Sequence, residues 1–170
     1  MRTITLLMLL AFTPTANAQH RTQVLFKEPV GLKVFWYIVR DGKPSYSTTP
    51  LETPGRFNFI SAATYRLKLT HLPGHAGLEL YPTLEVVAPG NPRVRDFLAH
   101  NAVPIAISDD EVRQIVNGNF LIKVIYLPND GAGENVALAA GEDAIREATR
   151  RGSVLLVLRI GNIADPLGKK

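Results

Sequence analysis

No cysteine occurs anywhere in the 170 residues. Disulfide staples, thiol nucleophiles and thiolate metal sites are therefore excluded by composition. Stability must come from a packed core, and a domain of this length buries roughly two-thirds of its surface, which suffices. A bilayer-spanning helix needs roughly 20 apolar residues, and the apolar stretch from Ile4 to Phe12 is too short for that. No Gly-x-Ser-x-Gly elbow is present, so the chain lacks the sharp turn that exposes a serine nucleophile in many hydrolases. Basic residues are scattered among acids rather than gathered in a stripe with interleaved aromatics, which argues against a nucleic-acid partner. No internal repeat or low-complexity segment interrupts the chain.

What is there begins with an export pattern. Arg2 supplies a positive start, Ile4 to Phe12 an apolar stretch, and Ala16-Asn17-Ala18 the small-x-small form of a signal-peptidase site. Residues 1–18 are expected to be a signal peptide, with cleavage before Gln19 and no transmembrane segment in the mature protein. Without cysteine after that site, a lipid anchor has no thiol to attach to. Formal charge falls from +4 to +3 when Arg2 leaves, a mild excess compatible with weak attraction to anionic envelope surfaces. The expected product is periplasmic, on the cell surface or secreted.

The mature chain reads as mainly β. Pro54 to Val87 scans as strand, turn, strand, turn, strand. From Tyr65 to Thr70 apolar and polar residues alternate, as in a strand with one face buried. Pro73-Gly74 marks the turn that follows, and Leu78 to Val87 reads as the return strand. A meander with one apolar face must pack against a second layer, which predicts an antiparallel β-sandwich. Further strands are expected at Val24 to Phe26 (after a loose lead-in from Gln19 to Thr22), from Gly31 to Val39, from Lys43 to Ser47 after an Asp41-Gly42 hairpin turn, and from Val103 to Ile107. Phe120 to Leu127 and Ser153 to Ile160 are apolar on both faces, apart from Lys123 and Arg159, as central covered strands are. Two short helices are expected. Ser108 and Glu111 form a capping box ahead of Val112, Ile115 and Val116, so the first runs from Ser108 to Asn117. The second runs from Glu142 to Arg151. Val94, Phe97 and Leu98 allow one or two further helical turns. Residues 19–162 then form a single domain, with 163–170 a basic tail.

Candidate chemistry is sparse. His71 and His75 stand four apart, a metal-binding interval on a helix, but Pro73-Gly74 lies between them and breaks that geometry; they are the weak candidates for a metal. His100-Asn101 suits a capping role at a corner. Glu79 and Glu85 lie roughly 20 Å apart along an extended chain, beyond the separation of a glycosidase pair, and are expected to face outward opposite Arg66 or Lys68. No catalytic residue and no cofactor is assigned. Binding candidates are aromatic, Trp36, Tyr37 and Tyr81: Trp36 reads as a core or sheet-covering residue with a sugar-stacking platform as the alternative, while Tyr37, Tyr46 and Tyr81 suit the paving of a sheet face or loop end. The competing reading makes them cross-strand pairs that stabilise the sheet.

The blocks PGRFNF, YRLKL, LELYPTLEV, FLAHNAVP, NFLIKVIYLP and RRGSVLLVLRIGN, in this order between Gly31 and Asn162, resemble a family of secreted proteins of planctomycete-type bacteria. The resemblance implies export to the cell envelope or beyond; it brings no activity and no site residues. PGRFNF with YRLKL is also similar to immunoglobulin-like and prealbumin-like sandwiches, whose loops or edges usually bind. The expected function is that of a non-catalytic exported module recognising a protein or polysaccharide of the envelope. The alternative is a small extracytoplasmic hydrolase or metal-binding protein that uses the loop histidines.

Overall fold

The computed structural model describes residues 20–130, 137–141, 143–161 and 167. The expected signal peptide, and the basic tail apart from Leu167, lie outside the described residues. In chain order the elements are β1 (Arg21–Glu28), β2 (Lys33–Arg40), β3 (Lys43–Tyr46), β4 (Leu51–Glu52), β5 (Gly55–Ile60), β6 (Ala63–Thr70), β7 (Thr83–Val86), α1 (Pro92–His100), β8 (Val103–Ala106), α2 (Asp109–Val116), β9 (Leu121–Pro128), β10 (Ala137–Ala140), α3 (Ala144–Arg151) and β11 (Gly152–Ile160).

The protein is mainly β, and among the described residues the strands form two sheets. One has eight strands, in the order β10-β9-β11-β7-β6-β2-β3 with β4 beside β2; the other is β5-β1-β8. All neighbours run antiparallel except β1 and β8, which are parallel. A single apolar core joins the sheets in a sandwich-like arrangement. Val24, Phe26 and Phe59 enter it from the small sheet, Val34, Leu67, Leu84, Ile125 and Leu158 from the large one. Val94 and Phe97 of α1, with Val112 and Ile115 of α2, complete it. α3 lies on the opposite face of the large sheet, where Ala144 and Ala148 pack on Val124, Tyr126 and Val157. Strand β9 is therefore covered on both faces, as its composition predicts.

Several expectations change in detail. The segment from Pro54 to Val87 is not one meander, because β5 belongs to the small sheet and β6 to the large one. The chain crosses between layers at Ser61-Ala62. There Ser61 hydrogen-bonds Thr22 of β1 at 3.0 Å, and the Tyr65 hydroxyl donates to the Ile60 carbonyl at 3.0 Å. Ala62 takes a left-handed backbone, φ 60°. Alternation alone cannot distinguish this corner from a hairpin, since both keep the apolar faces inward. The single return strand from Leu78 to Val87 is instead one isolated bridge, Leu80 to Leu69, followed by β7. Pro82 lies between them and has no N–H to donate to a ladder.

Among the described residues there are three helices rather than two; α1 is the additional one. Asn91 caps it by accepting from the Val94 N–H at 2.9 Å, and a proline follows at its first position. Its other end is closed by the His100-Asn101 corner. Asn101 Nδ2 donates to the Phe97 carbonyl at 2.9 Å, and His100 Nδ1 lies 2.8 Å from the Asp96 carbonyl. The lead-in before Val24 is partly strand, since β1 begins at Arg21, and Phe120 lies outside β9 and is exposed. β10 had no sequence signal: Ala137–Ala140 lacks alternation and pairs only through β9. In β11 a bulge between Val154 and Leu156 turns both Leu155 and Leu156 to the core. Gly152, where α3 becomes β11, admits no side chain, because a Cβ there would collide with the Leu127 carbonyl.

Candidate functional site

Two-residue periodicity sorts the large sheet into an inner and an outer face. α3 covers the outer face over β9, β10 and β11. Over β2, β3, β6 and β7 no element covers it among the described residues. The Asp41-Gly42 turn, with both residues at positive φ (52° and 72°), sets the register of β2 and β3 and places Tyr37 opposite Tyr46. Their rings meet edge to face at 6.3 Å, and the Tyr46 ring lies 6.0 Å from that of Tyr81. The Arg66 guanidinium sits over the Tyr37 ring, 5.8 Å from its centroid. Below them Lys68 Nζ approaches Glu79 at 2.6 Å, and the Tyr81 hydroxyl donates to the other oxygen of that carboxylate at 2.5 Å. Arg159 donates to Glu85 at 2.9 Å where the open half meets the covered half.

The pairings answer the expectation for the two glutamates. Both face outward. Glu79 meets Lys68 as expected, whereas Glu85 meets Arg159 of β11, a strand 74 residues further along. Glu79 titrates below its ordinary value of 4.5: the hydrogen bond from Lys68 is the largest cause, that from Tyr81 the next, and partial desolvation opposes them. A depressed folded-state pKa contributes stability above the unfolded value that is lost as pH falls through the folded one. Wild-type protein is therefore expected to lose more thermal stability than Glu79→Gln on acidification below about pH 4.5. Melting curves from pH 7 to pH 3 check this, and parallel acid limbs for the two proteins would contradict it.

Not all of the sequence candidates converge. Tyr37 and Tyr81 share the outer face and are joined through Tyr46. Trp36 points the other way, into the sandwich, with its ring 4.3 Å from Phe57. His71, with a left-handed backbone (φ 60°), lies 2.8 Å from the Thr70 hydroxyl through Nδ1. Thr70, His71 and Glu79 line one hollow of about 320 Å³, and His75 is not part of it. Among the described residues no three His, Asp or Glu side chains group as a metal centre would need. No helix among them is long and apolar enough to cross a membrane.

Arg66 is the residue of this surface that sequence reasoning used only as a charge partner. A signal for its position exists: it alternates with Leu67 on the polar side of β6, and Tyr37 and Tyr46 are equidistant from a two-residue hairpin turn. Pairing across that turn predicts an aromatic couple beside a basic strand. The fold and this surface define a two-sheet β protein whose larger sheet is half roofed by a helix and half open. No protein-family model, curated protein or solved structure matches the chain.

Proposed function

We propose that the protein is an exported, non-catalytic module that recognises a protein or glycan partner of the cell envelope through the open half of its large sheet. The observation that carries this reading is the coupled set Tyr37, Tyr46, Tyr81 and Arg66 on a face that α3 leaves bare. Tyrosine and arginine are the side chains enriched at binding hot spots: they offer large, stiff, amphipathic contact area at small entropic cost. Here the rings already hold one another in place, so little further ordering is required on binding. Of the two partner classes, the residue types on this face favour a protein. Export rests on Arg2, the apolar stretch from Ile4 to Phe12, and Ala16-Asn17-Ala18.

The test uses the full chain expressed in a Gram-negative host. The exported product is expected to begin at Gln19 by intact mass, and the purified protein to capture a defined envelope protein or to bind on a glycan array. A cytoplasmic product that retains Met1 would contradict the export reading. Clean negatives from capture and array, together with turnover of any substrate that His71→Ala abolishes, would favour the hydrolase alternative.

A further inference from the structure

The outward face of the small sheet carries a different chemistry. β1 presents Arg21, Gln23, Leu25 and Lys27 outward, while Thr22, Val24 and Phe26 are buried beneath. β5 presents Arg56, Asn58 and Ile60, with Arg56 opposite Leu25 and Asn58 opposite Gln23. Three cations and two carboxamides thus stand on one surface with no carboxylate between them. On the large sheet Lys68 and Arg159 are neutralised by Glu79 and Glu85. By contrast, no ion pair involves Arg21, Lys27 or Arg56 among the described residues. From Arg21 to Lys27 the strip runs six residues, roughly 20 Å.

At its Arg21 end the strip opens into a hollow of about 280 Å³, bounded by Arg21, Gln23 and Asn58 and, from the end of α1, by Leu98, His100 and Asn101. The bonds inside it leave polar valences over. Gln23 Nε2 donates to Asn58 Oδ1 at 3.3 Å, which leaves the Asn58 amide N–H groups and the Gln23 carbonyl. Asn101 uses its amide nitrogen on the Phe97 carbonyl and keeps its oxygen. His100 Nδ1 lies 2.8 Å from the Asp96 carbonyl and 3.7 Å from the Asp96 carboxylate, and Nε2 is left over.

We propose that this face binds a carboxylated polysaccharide, a chain of uronate sugars lying along β1 and β5 with one sugar in the hollow beside His100. Guanidinium groups take carboxylates in bidentate fashion, and the carboxamides supply the donor and acceptor pairs that sugar hydroxyls need. Cations without intramolecular partners are complementary to a polyanion, and their spread along a strand suits a linear one. The competing polyanions fit less well. Single-stranded nucleic acid wants aromatic platforms for its bases, and these outward positions of β1 and β5 hold none. A membrane surface wants an exposed apolar edge to insert, whereas Leu25 and Ile60 are half-buried within the face. Because the core separates the two sheets, this surface is independent of the tyrosine face, and either proposal can fail alone.

Affinity electrophoresis of the mature protein through gels containing alginate, dextran or no polymer tests it, with phosphatidylglycerol vesicles and duplex DNA as comparison ligands. Alginate is expected to retard the protein strongly at low salt and less as salt is raised, and dextran is expected not to. Arg21→Ala combined with Arg56→Ala should weaken alginate binding about tenfold or more, and Asn58→Ala should weaken it to a smaller degree. Arg146→Ala, at an exposed cation of α3 outside both faces, should leave it unchanged. All three variants alter exposed side chains, and unchanged melting curves establish that they fold. No retardation by alginate, equal retention by vesicles or DNA, or an equal loss in Arg146→Ala would overturn the proposal.

Discussion

Replacing Ile125 with aspartate is expected to leave the protein unfolded at room temperature. Ile125 is 2% exposed and sits in the middle of β9, opposite Leu138 of β10 on one side and Leu156 of β11 on the other. Its side chain enters the core shared by the two sheets; among the described residues the one cation on that face of β9 is Lys123, which is already engaged. An unpaired buried charge costs several kcal/mol, against a total stability of about 5–15 kcal/mol for a domain of this kind. Ile125→Val removes one methyl group and is expected to cost about 0.5–1.5 kcal/mol. Circular dichroism in the near and far ultraviolet, followed through a thermal melt, reads both. A cooperative, near-native melt for Ile125→Asp would mean that β9 is not the central strand of the core.

The second large effect is expected at Glu111. Lys123 is the one charged residue on the inner face of β9 and is only 3% exposed. Its ammonium donates to the Ala106 carbonyl at the end of β8 and to Glu111 Oε2 at 2.7 Å. The same carboxylate oxygen accepts the Ser108 backbone N–H at 2.8 Å, which completes the capping box of α2. Glu111 therefore ties together the start of α2, the end of the small sheet and the centre of the large one. Glu111→Ala strands the ammonium and opens the cap, and should destabilise by about 3–5 kcal/mol, the usual cost of breaking a buried pair from one side. Lys123→Met should cost less, because the Glu111 carboxylate keeps its Ser108 bonds and some solvent. The double variant Glu111→Ala/Lys123→Met is expected to be more stable than Glu111→Ala alone, the coupling that marks a direct pair. Urea denaturation of the four proteins gives the cycle. If Glu111→Ala costs no more than the exposed change Glu52→Ala, the pair has no structural role.

These two sites show what the sequence reveals and what it withholds. That β9 is buried on both faces is legible, since period-two alternation fails there and apolar residues fill both sides. The capping box at Ser108 and Glu111 is legible too, because it is local and its two bonds are made between residues three apart. That the same Glu111 neutralises Lys123 is not, since nothing in the sequence between residues twelve apart fixes how α2 packs on β9. The other misses share this cause. β10 has no alternation of its own and exists because β9 offers it an edge. The parallel pairing of β1 with β8 joins segments some eighty residues apart. The crossing at Ser61-Ala62 places β5 and β6 in different sheets although their pattern is that of a hairpin.

The candidate surface was legible in its residue types and only partly in its arrangement. Tyr81 alternates with Glu79, whereas Tyr37 shares its strand face with Phe35 and Val39 as well as Lys33, so alternation alone reads that face as covered. Trp36, next to Tyr37 in the chain, must point the opposite way in a strand, and its neighbour is Phe57 in the sandwich. Tyr81 meets Tyr46 although β6 and β2 lie between β7 and β3 in the sheet, a contact that alternation along either strand does not show.

The most direct test of the central claim is the affinity of the captured partner for three variants measured side by side by calorimetry. Tyr37→Ala and Arg66→Ala, which open the bare half of the large sheet, are expected to weaken binding about tenfold or more, as loss of hot-spot side chains does. Arg56→Ala, on the far side of the molecule, is expected to bind as wild type does. Undiminished affinity in Tyr37→Ala and Arg66→Ala, with native melting curves, would show that this face is not where the partner binds.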